Sequence, residues 1–501
     1  MSAQSSFFKR WPLAFILPMV FFEAGNGDEF EVRVVDAETK NPVSVRMTIR
    51  NIRGAAIKQR GVPFYNGEFC FFGKHVFRLP KGPYTYTIER GPEYRTLTGV
   101  FEVKKDATDG VTVSIPRFTD LKEKGWWSGD LCVYRPEKNI PVLMDASDLN
   151  FVNRIALEIP DHDGPEQPTL KKATENRVFH TLSGLDQRSG GQVFYIGLNK
   201  PIDLPKSSSL IPPGLIKNHS EAELVFVGNA AAWDLPVILA QKSAKTNGLV
   251  LGIAGDLLQQ HSSPVRATGI RKPPNSFTGP HALQRWQTYV YYQALNCGFQ
   301  IPPGAGSGSG RAKNPVGYNR MYVHCGPNFS YNSWISNLNF GRVVVTNGPV
   351  MEVRFNGLLP GETVQVAKGE SLEIETTMTL SLKEKADYLE LIRNGMVAAK
   401  ISLDEYTKAK GKLPKLVFQE SGWMLARVVT NHSKSFRFAT SGPIYIHVGD
   451  QPIRKKESAK FFFDWLVERA KAIQNSSSPE KEKAIEEMRS AYDFWKQLSA
   501  E

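Results

Sequence analysis

The chain of 501 residues is 41% hydrophobic and 22% charged, ordinary globular material in an amount that one hydrophobic core seldom covers, so several domains are expected. The formal charge of +12 invites a nucleic-acid reading, but the cations are dispersed and Arg454-Lys455-Lys456 is only a short basic run ahead of a helix, so no nucleic-acid partner is expected. The four cysteines, Cys70, Cys132, Cys297 and Cys325, stand singly without a Cys-x-x-Cys pair, which excludes a zinc knuckle or redox dithiol and favours buried free thiols.

Residues 1–25 have the form of an export signal: Lys9 and Arg10 precede an apolar run, 11–22, that is too short to span a bilayer. Cleavage is expected near Ala24 or Gly25, although Phe22 fits the small-residue rule poorly, and an uncleaved anchor or a tail with an apolar plug are the rival readings. The expectation is a periplasmic or extracellular protein, with no transmembrane helix beyond that possible signal anchor.

Residues 28–117 alternate apolar and polar positions in short runs, as in Phe30, Val32, Val34 and Tyr84, Tyr86, Ile88, which predicts a small antiparallel β-sandwich. Residues 118–346 mix apolar strand-like runs (224–227, 249–253) with helical ones (286–297, ended by Gly298), consistent with a distorted β/α barrel. Residues 347–450 read as a β-rich domain and 455–501 as C-terminal helices. Ser478 and Pro479 are the expected start of the last helix, and Ile485, Met488, Tyr492 and Trp495 its apolar face. The predicted fold class is therefore multidomain α/β plus β.

The most informative stretch is Gly125-Trp126-Trp127-Ser128-Gly129-Asp130-Leu131-Cys132-Val133-Tyr134-Arg135-Pro136. Side chains alternate along a strand, so residues 132 and 134 share a face where two histidines would converge on one metal ion. A thiol and a phenol of high intrinsic pKa stand there instead, a poor ligand pair beside imidazole.

This run, with 141–149 (Pro-Val-Leu-Met-Asp-Ala-Ser-Asp-Leu), Trp233-Asp234-Leu235-Pro236-Val237, 291–298, 301–310, Asn314-Pro315-Val316-Gly317-Tyr318-Asn319-Arg320 and 341–349, resembles the CehA/McbA-type (carbaryl-hydrolase-like) metallohydrolases of the polymerase and histidinol phosphatase (PHP) superfamily. The segment opening with Val35-Asp36-Ala37-Glu38 similarly looks like a carboxypeptidase-regulatory or transthyretin-like module. The metallohydrolase resemblance implies a PHP-like barrel over 118–346 and, in active members, a divalent metal such as zinc or manganese. Against that pattern the first motif has lost both histidines (Cys132, Tyr134), the acidic position before Trp233-Asp234 reads Asn229-Ala230-Ala231-Ala232, and the Asn-Asn-His-like turn reads Ala254-Gly255-Asp256. A lone carboxylate at Asp256 cannot assemble the several-ligand site that activates water.

Barrel pockets lie at the C-terminal ends of strands, so the candidate pocket is Asp130, Cys132, Tyr134, Arg135, Asn229, Asp256, Asn319 and Arg320, with no catalytic residue assigned and no metal expected. Asp161-His162-Asp163 reads as a polar loop, and residues 304–310 as a flexible connection, with an anion cradle as its alternative. No Gly-x-Ser-x-Gly elbow supports a serine hydrolase. Three functions are compatible with this pattern: an exported pseudoenzyme binding an unknown small molecule or envelope partner through the old pocket; an ester or phosphoester hydrolase with an altered site that recruits Asp130, Asp256 and His281 or His162; and a structural envelope protein.

Overall fold

The computed structural model describes residues 28–104, 109–155, 169–198, 222–242, 248–254, 269–279, 281–430, 432 and 435–500. The signal-like segment, Asp161-His162-Asp163 and Asp256 lie outside the described residues. The chain is mostly β-sheet with several helices, divided among more than one core.

Residues 28–115 make two sheets around one core of Val32, Val45, Ile49, Phe69, Phe77 and Ile88. The expected alternation places these side chains inward. Pairing is antiparallel except that the first strand, Asp28–Asp36, runs parallel to the last, Asp109–Ile115. Alternation reports which side of a strand is buried and carries no information about strand direction, so the all-antiparallel expectation is corrected at this pair.

Beyond residue 118 the described strands form two main sheets and two two-stranded ones, Val350–Phe355 with Thr376–Ser381 and Leu372–Ile374 with Leu416–Phe418. The large sheet runs Leu170–Thr174, Arg177–His180, Phe151–Arg154, Trp126–Val133, Arg320–His324, Val343–Thr346, Arg437–Ser441, Gly422–Thr430, Ala386–Arg393, Met396–Ile401, with two further strands beside it. It therefore passes through residue 346 without a break. The smaller sheet runs Gly184–Arg188, Gly191–Ile196, Leu224–Val227, Leu249–Ala254, Pro303–Ala305. One isolated parallel bridge, Val133 to Ser309, links the two. No closed barrel ladder is present among the described strands. Trp126–Val133 is buried at all eight positions because it is hydrogen-bonded on both edges and covered on both faces, and its one charged residue, Asp130, is supplied with backbone donors.

The sandwich docks on this body through Cys70, which packs with Ile140, Leu143, Met144 and Val133. Beside that contact lies a buried charge hub. Asp148, 1% exposed, is met by Lys122 Nζ at 2.7 Å, Arg177 Nη2 at 2.8 Å and Arg117 Nη2 at 3.0 Å, with Arg90 at 3.6 Å. Arg90 and Arg117 come from the sandwich end of the chain, so one carboxylate ties two cores together.

The C-terminal helices Lys456–Gln474 and Arg489–Ala500 complete the central core. The Trp465 ring stacks on Trp286 at 6.0 Å and meets Trp233 edge-on at 6.4 Å. Trp495 donates its indole N–H to the Pro236 carbonyl (2.8 Å), and Arg469 Nε donates to Asp234 (2.8 Å). The expected single last helix is two, Lys481–Glu487 and Arg489–Ala500, and begins at Lys481 rather than Pro479, because the Ser478 hydroxyl accepts from the Glu480 amide and turns the chain first. The break rotates Tyr492 out of the expected apolar face to 41% exposure while Met488 and Trp495 stay buried. No described helix is long and apolar enough to cross a membrane.

Candidate functional site

Strand Trp126–Val133 delivers Cys132 to the face that alternation requires, and Tyr134 follows just beyond its end. The thiol and the phenol lie close enough that each affects the ionisation of the other. Burial pushes the Cys132 thiol up to about 12, and the nearby Asp130 carboxyl adds to that shift. Burial likewise raises the Tyr134 phenol, over whose ring the Arg311 guanidinium sits at 4.3 Å. Both groups therefore stay neutral near pH 7, and a neutral thiol is neither a good nucleophile nor a metal ligand.

The glycine-rich run at 304–310 lies directly on this strand. The Tyr134 amide donates to the Ser309 carbonyl at 2.7 Å, and the Gly308 amide to the Cys132 carbonyl at 2.8 Å. A Cβ on Gly306 would stand 2.5 Å from Cys132 Cβ, so only glycine admits the approach. The expectation of a flexible connection here is corrected: the run is a packed extension of the neighbouring strand, held by the hydrogen bonds a sheet edge offers.

The candidate polar residues serve that closure. Asp130 is fully buried and accepts from the amides of Ser307 (2.9 Å) and Gly317 (2.8 Å), two bonds that fix residues 307–317 to the strand, and from the Cys132 amide of its own strand (3.1 Å). Asn319 Nδ2 donates to the Gly306 carbonyl (3.2 Å), and Asn314 Nδ2 to that of Ser307 (3.0 Å). Arg135 Nε donates to Ser309 Oγ (3.0 Å) while its guanidinium covers the Tyr65 ring of the sandwich at 3.7 Å. Arg320 is turned the other way, bonding the carbonyls of Gly317 (2.7 Å) and Ser147 (2.9 Å). Asn229 closes its own turn by accepting from the Ala231 amide at 2.7 Å.

Six of the eight candidates, Asp130, Cys132, Tyr134, Arg135, Asn319 and Arg320, thus gather around residues 304–317; Asn229 sits at the end of Leu224–Val227, and Asp256 is outside the described residues. His281 lies before helix Ala282–Asn296 with its ring against Phe436 (5.6 Å), and His324 meets Trp126 edge-on (5.2 Å). Neither is placed on the Cys132 face. Among the described residues no three His, Cys, Asp or Glu side chains stand close enough to hold one metal ion. The donor set at the strand end does not fit a zinc or manganese centre, because a neutral thiol–phenol pair under a backbone lid offers no converging anionic or imidazole ligands. All four cysteines are free.

Several polar residues of consequence are silent in the sequence. Arg90, Arg117 and Arg177 look like scattered surface cations until the fold brings them to Asp148. The one available signal was the pair of carboxylates Asp145 and Asp148 in the 141–149 motif; Asp148 adopts a left-handed backbone (φ 51°) that few residue types tolerate.

No family model and no curated protein matches the chain. Among solved structures it is similar, at 8% identity, to the N-terminal four Ig domains of Dscam1 isoform 8.4, covering 83% of this chain and 96% of that one with a TM-score of 0.13.

Proposed function

We propose that this chain is an exported, non-catalytic binding protein built on a metallohydrolase-like plan. The observation that carries the reading is the closure of Gly306, Gly308 and Ser309 onto Cys132 and Tyr134, which leaves a neutral, sealed strand end where the resemblance would put metal and water. The parallel succession of Arg177–His180, Phe151–Arg154 and Trp126–Val133, continued through the Val133–Ser309 bridge to Pro303–Ala305, Leu249–Ala254 and Leu224–Val227, supports an opened PHP-like barrel as that plan. With the old mouth filled, binding belongs to another surface.

Elemental analysis of the purified chain, combined with assays on simple esters and phosphoesters, tests this. Zinc, manganese and iron well below one per chain, with no hydrolysis, is the expected result. Stoichiometric metal with chelator-sensitive hydrolysis would restore the altered-site enzyme.

A further inference from the structure

A cleft of about 140 Å³ opens where the sandwich, the 315–320 turn and the 382–384 turn meet, well beyond the room one water needs. Its charged lining is Arg46, Glu68, Glu89, Arg320, Lys383, Glu384 and Arg437. The carboxylates are already engaged: Glu89 and Glu68 both pair with Arg46, at 2.6 and 3.3 Å, and Glu384 pairs with Arg437. Two cations remain. Arg320 is 3% exposed, yet its guanidinium bonds only the carbonyls of Gly317 and Ser147, and among the described residues no carboxylate lies within 4.0 Å of it. Lys383 Nζ donates to the Gly91 carbonyl (2.8 Å) and lies 3.5 Å from Thr96 Oγ1, again with no carboxylate partner among the described residues.

A buried guanidinium with neutral acceptors alone is held at a cost that a matching anion would offset. The walls beside it are kept bare. Gly91 and Gly317 both have positive φ (59° and 73°), and a Cβ on either would stand 3.4 Å from Arg320 Nη1 or 2.7 Å from Nη2. Lys383 is exposed as a residue, but its ammonium is crowded by protein: loss of water pushes it down to about 8, Glu89 opposes, and Arg46, Arg320 and Arg437 push it further the same way. Glu89, already paired with Arg46, offsets this crowding only in part, which leaves an excess of positive charge in the cleft.

We infer that this interdomain cleft is a binding site for a small oxyanion, a carboxylate or phosphate group of one or two negative charges, held by Arg320 and Lys383. Guanidinium and ammonium donors are suited to such oxygens, and charge-assisted bonds of this kind are about twice as strong as neutral ones. Arg320 bonds the Gly317 and Ser147 carbonyls and not the closed run over Cys132, and Lys383 lies on a separate turn, so the inference stands or falls apart from the non-catalytic reading.

The test is calorimetric titration of the full chain with inorganic phosphate and with acetate, each at ionic strength held constant by chloride, repeated on Lys383→Gln. Wild-type protein is expected to bind at least one of the two more tightly than chloride, the tighter one naming the oxyanion class, and Lys383→Gln to weaken it by about tenfold. Because Lys383 sits on an exposed turn, the variant should fold; acylation of Lys383 measured by mass spectrometry, with the exposed Lys385 as reference, gives a second readout on unaltered protein. The bound anion should slow acylation of Lys383 and leave Lys385 unchanged. Neither anion exceeding chloride, or binding unchanged in Lys383→Gln, or equal acylation of both lysines with and without anion, would overturn the proposal.

Discussion

Gly306 and Cys132 approach so closely that a methyl group on the glycine would lie 2.5 Å from the cysteine Cβ. The opposing atom belongs to a buried strand hydrogen-bonded on both sides, so it cannot swing away as the tip of a long side chain could. Gly306→Ala is therefore expected to destabilise the protein by about 1–3 kcal/mol, the usual cost of overpacking, measured by urea unfolding. Gly110→Ala is the control: a Cβ there meets Glu31 O at an ordinary 3.4 Å, and a neutral or slightly stabilising effect is expected. Equal behaviour of the two variants would mean the run at 304–310 is not packed on the strand.

Asp148 holds the sandwich to the central body by charge. Burial alone would push its carboxyl up, but Lys122, Arg90, Arg117 and Arg177 outweigh that and hold it well below the usual carboxylate range. Asn tolerates the left-handed backbone at this position, so Asp148→Asn removes charge with little backbone strain. Leaving buried cations unpaired is expected to cost about 3–5 kcal/mol. A folded pKa below the unfolded one gives stability that is present above about pH 4 and lost as pH falls through the folded value. Wild-type stability should accordingly decline below pH 4, and the variant should show a shallower decline; parallel curves would remove Asp148 from its role as hub.

Asp234 has the opposite sign. Burial pushes its carboxyl up to about 6, only partly countered by Arg469, and its Oδ2 has no hydrogen-bond partner among the described residues. The folded state then binds a proton more tightly than the unfolded one, so the contribution from this group grows as pH falls from about 6 to 4 and is lost as pH rises through 6. Melting temperature against pH should lose this component in Asp234→Asn. An unchanged slope between pH 4 and 6 would show that Arg469 neutralises Asp234 fully.

Much of the strand and helix placement was legible in the sequence. The alternation around Cys132 and Tyr134 anticipates their shared face, the apolar runs at 224–227 and 249–253 lie in buried strands, and helix Ala282–Asn296 ends just ahead of Gly298 at φ 85°. These are local signals, set by period and by a glycine in the left-handed region. What was not legible depends on partners distant in the chain. Residues 304–310 look like a linker because glycine and serine dominate them, whereas the glycines are there to let backbone lie against backbone. Arg46, Arg320 and Lys383 reach one cleft from three segments, and no spacing rule relates them.

Restoring both histidines, Cys132→His with Tyr134→His, should not restore chemistry. The new imidazoles would stand under the Gly306–Ser309 backbone, and two ligands are too few to activate a water molecule. Zinc titration is expected to show weak binding at most and no ester hydrolysis. Strong hydrolysis from the double variant would mean that the remaining ligands are in place.

The sealed strand end is tested most directly by native-state alkylation of the four cysteines, read site by site by mass spectrometry. Cys70, Cys132 and Cys297 are all buried with thiols pushed up to about 12, so Cys70 and Cys297 serve as internal standards for a site that reacts only when the protein opens. Cys132 should label as slowly as those two. Labelling of Cys132 much faster than Cys70 and Cys297, under conditions where the protein stays folded, would show an open pocket behind Tyr134 and contradict the account.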